Sequence, residues 1–355
     1  LLAGRMRRDD ERAESERVLV RYERGFEPAR FDLVVMRSEH DDVPLVKRAV
    51  GLPCENLAVR DGDLLIDGRL LPPEEPRPAP IPVYDDRLLQ PEEFFHRRED
   101  GSVRREGDAW VVEGGPGAPG NRLTYHPALR DDSFDRDGRR VHGVVEVNDA
   151  RLELAFRIDG ALAAQHLYFQ LVEAGDTFTL ELSAEAPGLR LTRYNHLLQK
   201  ESKSAEVLLE RELALPDECW LTLAFANIDN HLAVALPELD LALGVSYAEN
   251  VPLAGATSLA QHLGPRVAFG VEAGRARFRA VRILRDLYYT SAGRYGTTEP
   301  ILLGPDEYFL LGDNSSVATD SRQIGPVHAR WLFGRPVAVL WPTPRWLHGA
   351  ERGPD

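Results

Sequence analysis

The chain has 355 residues, 43% hydrophobic and 28% charged, an ordinary globular composition that is long enough for two or three domains. Its net charge of −14 lacks the basic field that phosphate backbones require, so no nucleic-acid partner is expected. Two distant cysteines, Cys54 and Cys219, make neither a disulfide framework nor a zinc site, and no metal or other cofactor is expected.

The first 17 residues are densely charged and read as a solvated helix or a disordered arm. They open on LLAGRM without an initiator Met, so we read the chain as a fragment whose upstream part has been removed. No run of about 18 apolar residues is present to span a membrane. From residue 18 to 72 the pattern changes to short β-branched runs: VLVRY, FDLVVMR and LVKRAVGLP. A hairpin follows, with Leu57 and Val59, the turn Asp61-Gly62, Leu64 to Ile66, and the turn Asp67-Gly68.

Residues 73–141 have the proline, glycine and charge content of a linker, with hydrophobic islands at 94–95 and 110–112. Residues 142–290 form a second series of alternating runs separated by turns, as in an antiparallel sandwich or jelly roll. In RARFRAVRI, Ala276, Phe278 and Ala280 alternate with Arg275, Arg277 and Arg279, one face buried and one wet. Beyond Thr290 come further strands around a polar turn. The tail from Arg345 is expected to fray.

Two segments invite a chemical reading. Lys47 stands inside the apolar run PLVKRAVGLP. It reads either as a lysine snorkelling along a sheet edge or as a desolvated amine that takes a proton from a hydroxyl. The stretch GDNSSVATDSR (312–322) combines a turn at Gly312, Asp313 and Asn314 with an acid, a hydroxyl and a base at Asp320, Ser321 and Arg322. By itself an Asp–Arg pair of this kind is a structural clamp.

Taken together, in this order and spacing, the two segments and their flanking strands resemble the signal peptidase I family of Ser/Lys endopeptidases over roughly 18–72 and 300–342. The resemblance places Lys47 at the general-base lysine and Arg48 at the arginine after it. Asp32 falls in the box where the family has Gly-Asp, with Phe31 replacing the glycine. Gly312, Asp313, Asn314, Asp320, Ser321, Arg322 and Gly325 fall on the last box. The middle segment fits a planctomycete-like member carrying an inserted sandwich of concanavalin or laminin-G type. The expected fold is therefore all-β. A discontinuous peptidase-like domain (1–72 plus 291–345) is interrupted by a linker region (73–141) and a β-sandwich insert (142–290).

The resemblance fails where the dyad needs it. AGRM stands where the family has its nucleophilic serine, which puts Arg5 at that position. Ala318 replaces the serine that orients the lysine. Cys54-Glu55 replaces Gly-Asp, and Ile324 replaces an aromatic. Another hydroxyl, Ser15 or Ser315, would have to take the nucleophile's place. The resemblance implies a protein of the bacterial inner membrane, anchored by an upstream helix, with this part on the outer side and signal peptides of preproteins as substrates if it is active. The expected function is a catalytically impaired signal-peptidase-like protein.

The alternative is a non-catalytic module whose insert binds a glycan or a protein. Trp220, Tyr168, Phe169 and Tyr194 are candidates to line a sugar site, though such residues are more often core or rim. A third option, glycoside hydrolysis by the insert, needs two carboxylates across a cleft; Glu146, Glu153, Glu181, Asp229 and Asp286 are candidates by count. Asp229-Asn230 reads as a turn rather than a calcium site.

Overall fold

Nearly every apolar run of period two becomes a strand in the computed structural model, and the fold is all-β. Described are residues 3–6, 16–23, 25–37, 44–60, 62–97, 102–115, 121–135, 137–159, 166–173, 175–183, 185–196, 205–216, 218–248, 266–315, 318–341 and 344–347. The chain divides into two compact units, Leu1–Ala79 with Leu287–Asp355, and Pro80–Asp286.

The first unit is built on one antiparallel sheet. Its strands run in the order Ala3–Met6, Glu16–Tyr22, Leu332–Trp341, Leu33–Met36, Leu45–Gly51, Glu307–Leu311 and Val327–His328, with Arg345–Trp346 added beside Leu332–Trp341. Alternation along Leu33–Met36 sends Val34 and Met36 into a cluster with Ala49, Tyr308 and Leu310. Val35 instead joins Val18 and Val20 in a second cluster. A smaller sheet holds the expected hairpin, Asn56–Arg60 and Asp63–Ile66, extended by Arg69–Leu70 and Ile301–Leu302. Asp67 and Gly68 take positive φ of 51° and 76°, the primed turn that matches strand twist.

Two expectations for the chain ends change. Within the charged first 17 residues, Ala3–Met6 is a strand paired to residues 16–19 of the next strand. Likewise, Arg345–Trp346 pairs with Ala338 and Val339 instead of fraying. In both places backbone pairing along an available strand supplies what side-chain polarity does not predict.

The second unit is organised by one 20-residue strand, Arg266–Arg285. Its first half pairs with His166–Glu173 and Asn121–Tyr125. Its second half pairs with Ala150–Ile158, Ala109–Gly114 and Ile81–Asp85. Outward from the first ladder run Asp176–Ser183, Gly188–Asn195 and Glu206–Glu212. Outward from the second run Leu221–Ile228, His231–Leu236 and Leu241–Ser246. Inward rings join the two ladders: Phe156 to Phe169 at 5.8 Å, Phe169 to Phe278 at 6.2 Å and Phe278 to Phe269 at 5.1 Å. This is a sandwich core.

The stretch 73–141 differs from a linker. From Pro80 onward it supplies five strands to the sandwich or its edges, and Tyr84, Trp110, Val111, Val112, Leu123 and Tyr125 are buried. Its apolar islands are short, and the turns between them carry the proline and glycine, so average composition hides the strands. The unit boundaries accordingly fall at 79/80 and 286/287. The alternation in RARFRAVRI also breaks: Ala280 is exposed with φ of 52°. There the ladder slips from the Arg279–Ala155 pair to the Arg282–Glu153 pair, a bulge that restores burial at Val281.

Candidate active site

The strand Leu45–Gly51 pairs with Leu33–Met36 on one side and Glu307–Leu311 on the other. Lys47 lies opposite Val34, and Arg48 lies between Leu33 and Leu311. The chain leaves Leu311 directly into Gly312, so the lysine strand and the 312–322 turn, which are 265 residues apart, become neighbours. A methyl placed on Gly312 would lie 2.6 Å from the Ala318 Cβ, 3.3 Å from the Lys47 Nζ and 3.8 Å from Asp320 Oδ2. The amine, the Ala318 methyl and the Asp320 carboxylate thus all lie close to Gly312, packed too tightly to admit a side chain there.

Arg48 anchors the turn from below. Its guanidinium donates to both carboxylate oxygens of Asp313, at 2.8 and 2.7 Å, and to the Phe31 carbonyl at 2.7 Å. Burial pulls this guanidinium down, but the Asp313 hydrogen bond and charge more than offset that, and the net shift is upward. Asn314, next in the chain, is exposed. Asp32 accepts from the Ala29 N–H at 2.9 Å and pairs with Arg335 at 3.0 Å, holding the bend before its strand.

The far side of the turn is a buried ionic clamp. Asp320 and Arg322 are both fully buried and form a fork-to-fork pair, Nε to Oδ1 at 2.9 Å and Nη2 to Oδ2 at 2.7 Å. Asp320 also accepts from the backbone N–H groups of Gly312 and Arg322. Its backbone N–H donates to the Gln323 side-chain oxygen, completing a capping box for Ser321–Ile324. The rest of the Arg322 fork donates to the Thr290 carbonyl and hydroxyl and to the Ser315 hydroxyl and carbonyl. A buried charge pair is tolerable only when its remaining donors and acceptors are satisfied in this way.

Sequence reasoning missed Thr290 and Ser315 as clamp residues. In the sequence Thr290 stands at the end of the expected insert, and nothing in local spacing links it to Arg322. Two hydroxyls of the turn are also committed, while Ser316 lies outside the described residues. Ser315 accepts from the Thr290 N–H at 2.8 Å and from Arg322, and Ser321 accepts from the Leu310 N–H at 2.9 Å. Ser315 is therefore structural here. Ser15 lies outside the described residues, as does the side chain of Arg5. The Arg5 backbone pairs with Arg17 on the first strand of the sheet.

In the sandwich, the candidate carboxylates Glu153 and Glu181 lie on different ladders. Glu153 points outward from the second ladder and pairs with Arg151 and Arg282. Glu181 lies on the first ladder, opposite Tyr168. Asp229 and Asn230 form a tight turn with φ of 47° and 60°. Of the aromatics, Phe169 is core and Trp220 receives Arg279 over its ring at 4.0 Å. Only Tyr168 and Tyr194 share a face, which also carries a groove of about 380 Å³ whose lining includes Tyr194. Among the described residues, no helix is long and apolar enough to cross a membrane.

Comparison with known proteins gives two kinds of result. A family profile described as "Signal peptidase, peptidase S26" matches residues 9–149 and 284–341, more than half of the chain. The match includes Lys47 and the 312–322 turn and begins after Arg5. No curated protein matches. Among solved structures, a carbohydrate binding module (CBM66) from Bacillus subtilis has TM-score 0.35 at 10% identity, over 54% of this chain and 94% of that one. The CBM2 module of the Lactobacillus casei BL23 phage J-1 evolved Dit protein has TM-score 0.36 at 11% identity, over 60% of this chain and 100% of that one. At these scores neither speaks to what this chain binds.

Proposed function

The chain belongs to the signal peptidase, peptidase S26, family, and from that premise we propose that it is a catalytically impaired member, retaining the base position of a Ser/Lys dyad without its hydroxyls. The observation that carries this reading is that the Lys47 amine and the Ala318 methyl both lie beside Gly312. Where the family resemblance calls for a hydroxyl that orients the lysine, a methyl stands. The resemblance also puts Arg5 at the nucleophile's position. Without a nucleophile no acyl-enzyme forms, and the loss is on the order of 10⁴–10⁶ in rate.

The intact turn supports retention of the scaffold: the Arg48–Asp313 and Asp320–Arg322 pairs still hold the turn that follows Leu311, beside the Lys47 strand. On this reading the protein works at the outer face of a bacterial inner membrane, where it engages signal peptides without cutting them.

The test is a cleavage assay on a preprotein with a small-x-small site. The wild-type chain is expected to leave it intact, while R5S/A318S gains cleavage that K47A abolishes. Lysine-dependent cleavage by the wild-type chain would overturn the proposal.

A further inference from the structure

The groove belongs to the sandwich unit and lies on a sheet face, and the strand register explains its shape. Arg122, Gly270 and Tyr168 stand in one row across three strands, with Thr124, Ala268, Gln170 and Thr179 in the next. The central strand thus contributes only a hydrogen and a methyl, while longer side chains rise on both sides. The resulting furrow of about 380 Å³ falls at the lower end of the range for small-ligand sites.

Its lining offers hydrogen bonds in both directions and one aromatic wall. Gln170 Nε2 donates to Thr179 Oγ1 at 3.1 Å, and Thr177 Oγ1 is 2.8 Å from His196 Nε2. These contacts hold an amide and an imidazole in fixed orientation. The Tyr194 and His196 rings meet edge to face at 4.8 Å. The lining holds one permanent charge, Arg122; its row continues through Tyr168 to Glu181 and Arg190, and Glu272 stands two residues beyond Gly270, so positive and negative groups alternate there. The furrow is therefore close to electrically neutral.

The furrow's floor also excludes one class of occupant. The first half of Arg266–Arg285 is paired on both sides, so no row of open backbone groups is available for an extended peptide to join. Fixed amide, hydroxyl and imidazole groups beside a phenol ring, with little net charge, match the alternating hydroxyl and CH faces of a pyranose.

We propose that this furrow binds an uncharged oligosaccharide, with the sugar face on Tyr194 and its hydroxyls on Gln170, Thr179 and His196. The site belongs to the sandwich unit and stands or falls independently of the peptidase reading.

The experiment is titration of the full chain against neutral hexasaccharides of glucose, mannose, galactose and xylose, by calorimetry or on an array. At least one is expected to bind, with affinity unchanged up to about 0.5 M salt, where only charge-driven binding is screened away. Y194A and Q170A are each expected to weaken it tenfold or more with an unchanged circular dichroism spectrum. Q170A, at a partly exposed position, serves if Y194A fails to fold. Failure of all four hexasaccharides to bind, loss of binding in salt, or full affinity in Q170A would each overturn the proposal.

Discussion

Phe31 and Cys54 occupy positions where the peptidase resemblance calls for glycine, and both keep the glycine's backbone, with φ of 65° and 67°. The left-handed region costs a residue with a Cβ about 1–2 kcal/mol. At Phe31 the geometry is needed: its N–H donates to the Ala49 carbonyl, and its own carbonyl receives Arg48. Cys54 is exposed, so its side chain packs against little that would offset the cost. C54G is therefore expected to stabilise the peptidase-like unit by about 1 kcal/mol in urea unfolding followed by fluorescence; an unchanged or lower midpoint would contradict this.

Glu181 allows a pH test at the same scale. Burial, opposed by Arg190 and assisted by Glu272, raises its carboxyl above the ordinary 4.5. The folded state then holds this proton to higher pH than the unfolded chain does, so stability falls as pH rises through that window. E181Q is expected to be more stable than wild type at pH 7 and to lose that advantage at about pH 4 and below. A stability gap that does not change with pH would refute the assignment.

At the scale of elements, the 310s turn is held by a clamp whose parts cannot be removed singly. Removing one member of a fully buried ion pair leaves the other charge unpaired, at a cost of about 3–5 kcal/mol. D320A and R322A are each expected to destabilise their unit by that amount, and D320A/R322A by clearly less than the sum. Additive losses in a double-mutant cycle would show that the two side chains act separately. Gly312 is equally constrained, since a Cβ there would stand 2.6 Å from Ala318. G312A is therefore expected to displace the turn from Lys47, seen as a changed environment of the amine by NMR. The Ala280 bulge belongs to this scale too: one residue of slippage within the second ladder returns Val281 and Ile283 to the core.

For the whole molecule, the insertion can be read from one pairing. The sandwich unit begins and ends on paired residues, Ile81 opposite Arg285, so its two ends leave side by side. Expressed alone, residues 80–286 are expected to fold with a single cooperative transition, checked by calorimetry. Joining residue 79 to residue 287 through a short loop is expected to leave the peptidase-like unit folded, checked by amide exchange protection in Leu45–Gly51. An unfolded fragment in either case would contradict the division into two units.

The sequence alone determined the all-β class, because period-two alternation depends only on which residues avoid water. It also singled out the lysine run and the 312–322 turn, since local turn chemistry and an Asp-x-Arg spacing are visible without a fold. Only tertiary structure could show that Lys47 and Ala318 both lie beside Gly312, or that Thr290 and Ser315 complete the Arg322 fork, because these neighbours come from segments far apart in the chain. The strands hidden in 80–125 needed it as well: short apolar islands become strands once a long central strand offers them a ladder, and composition carries no record of that partner.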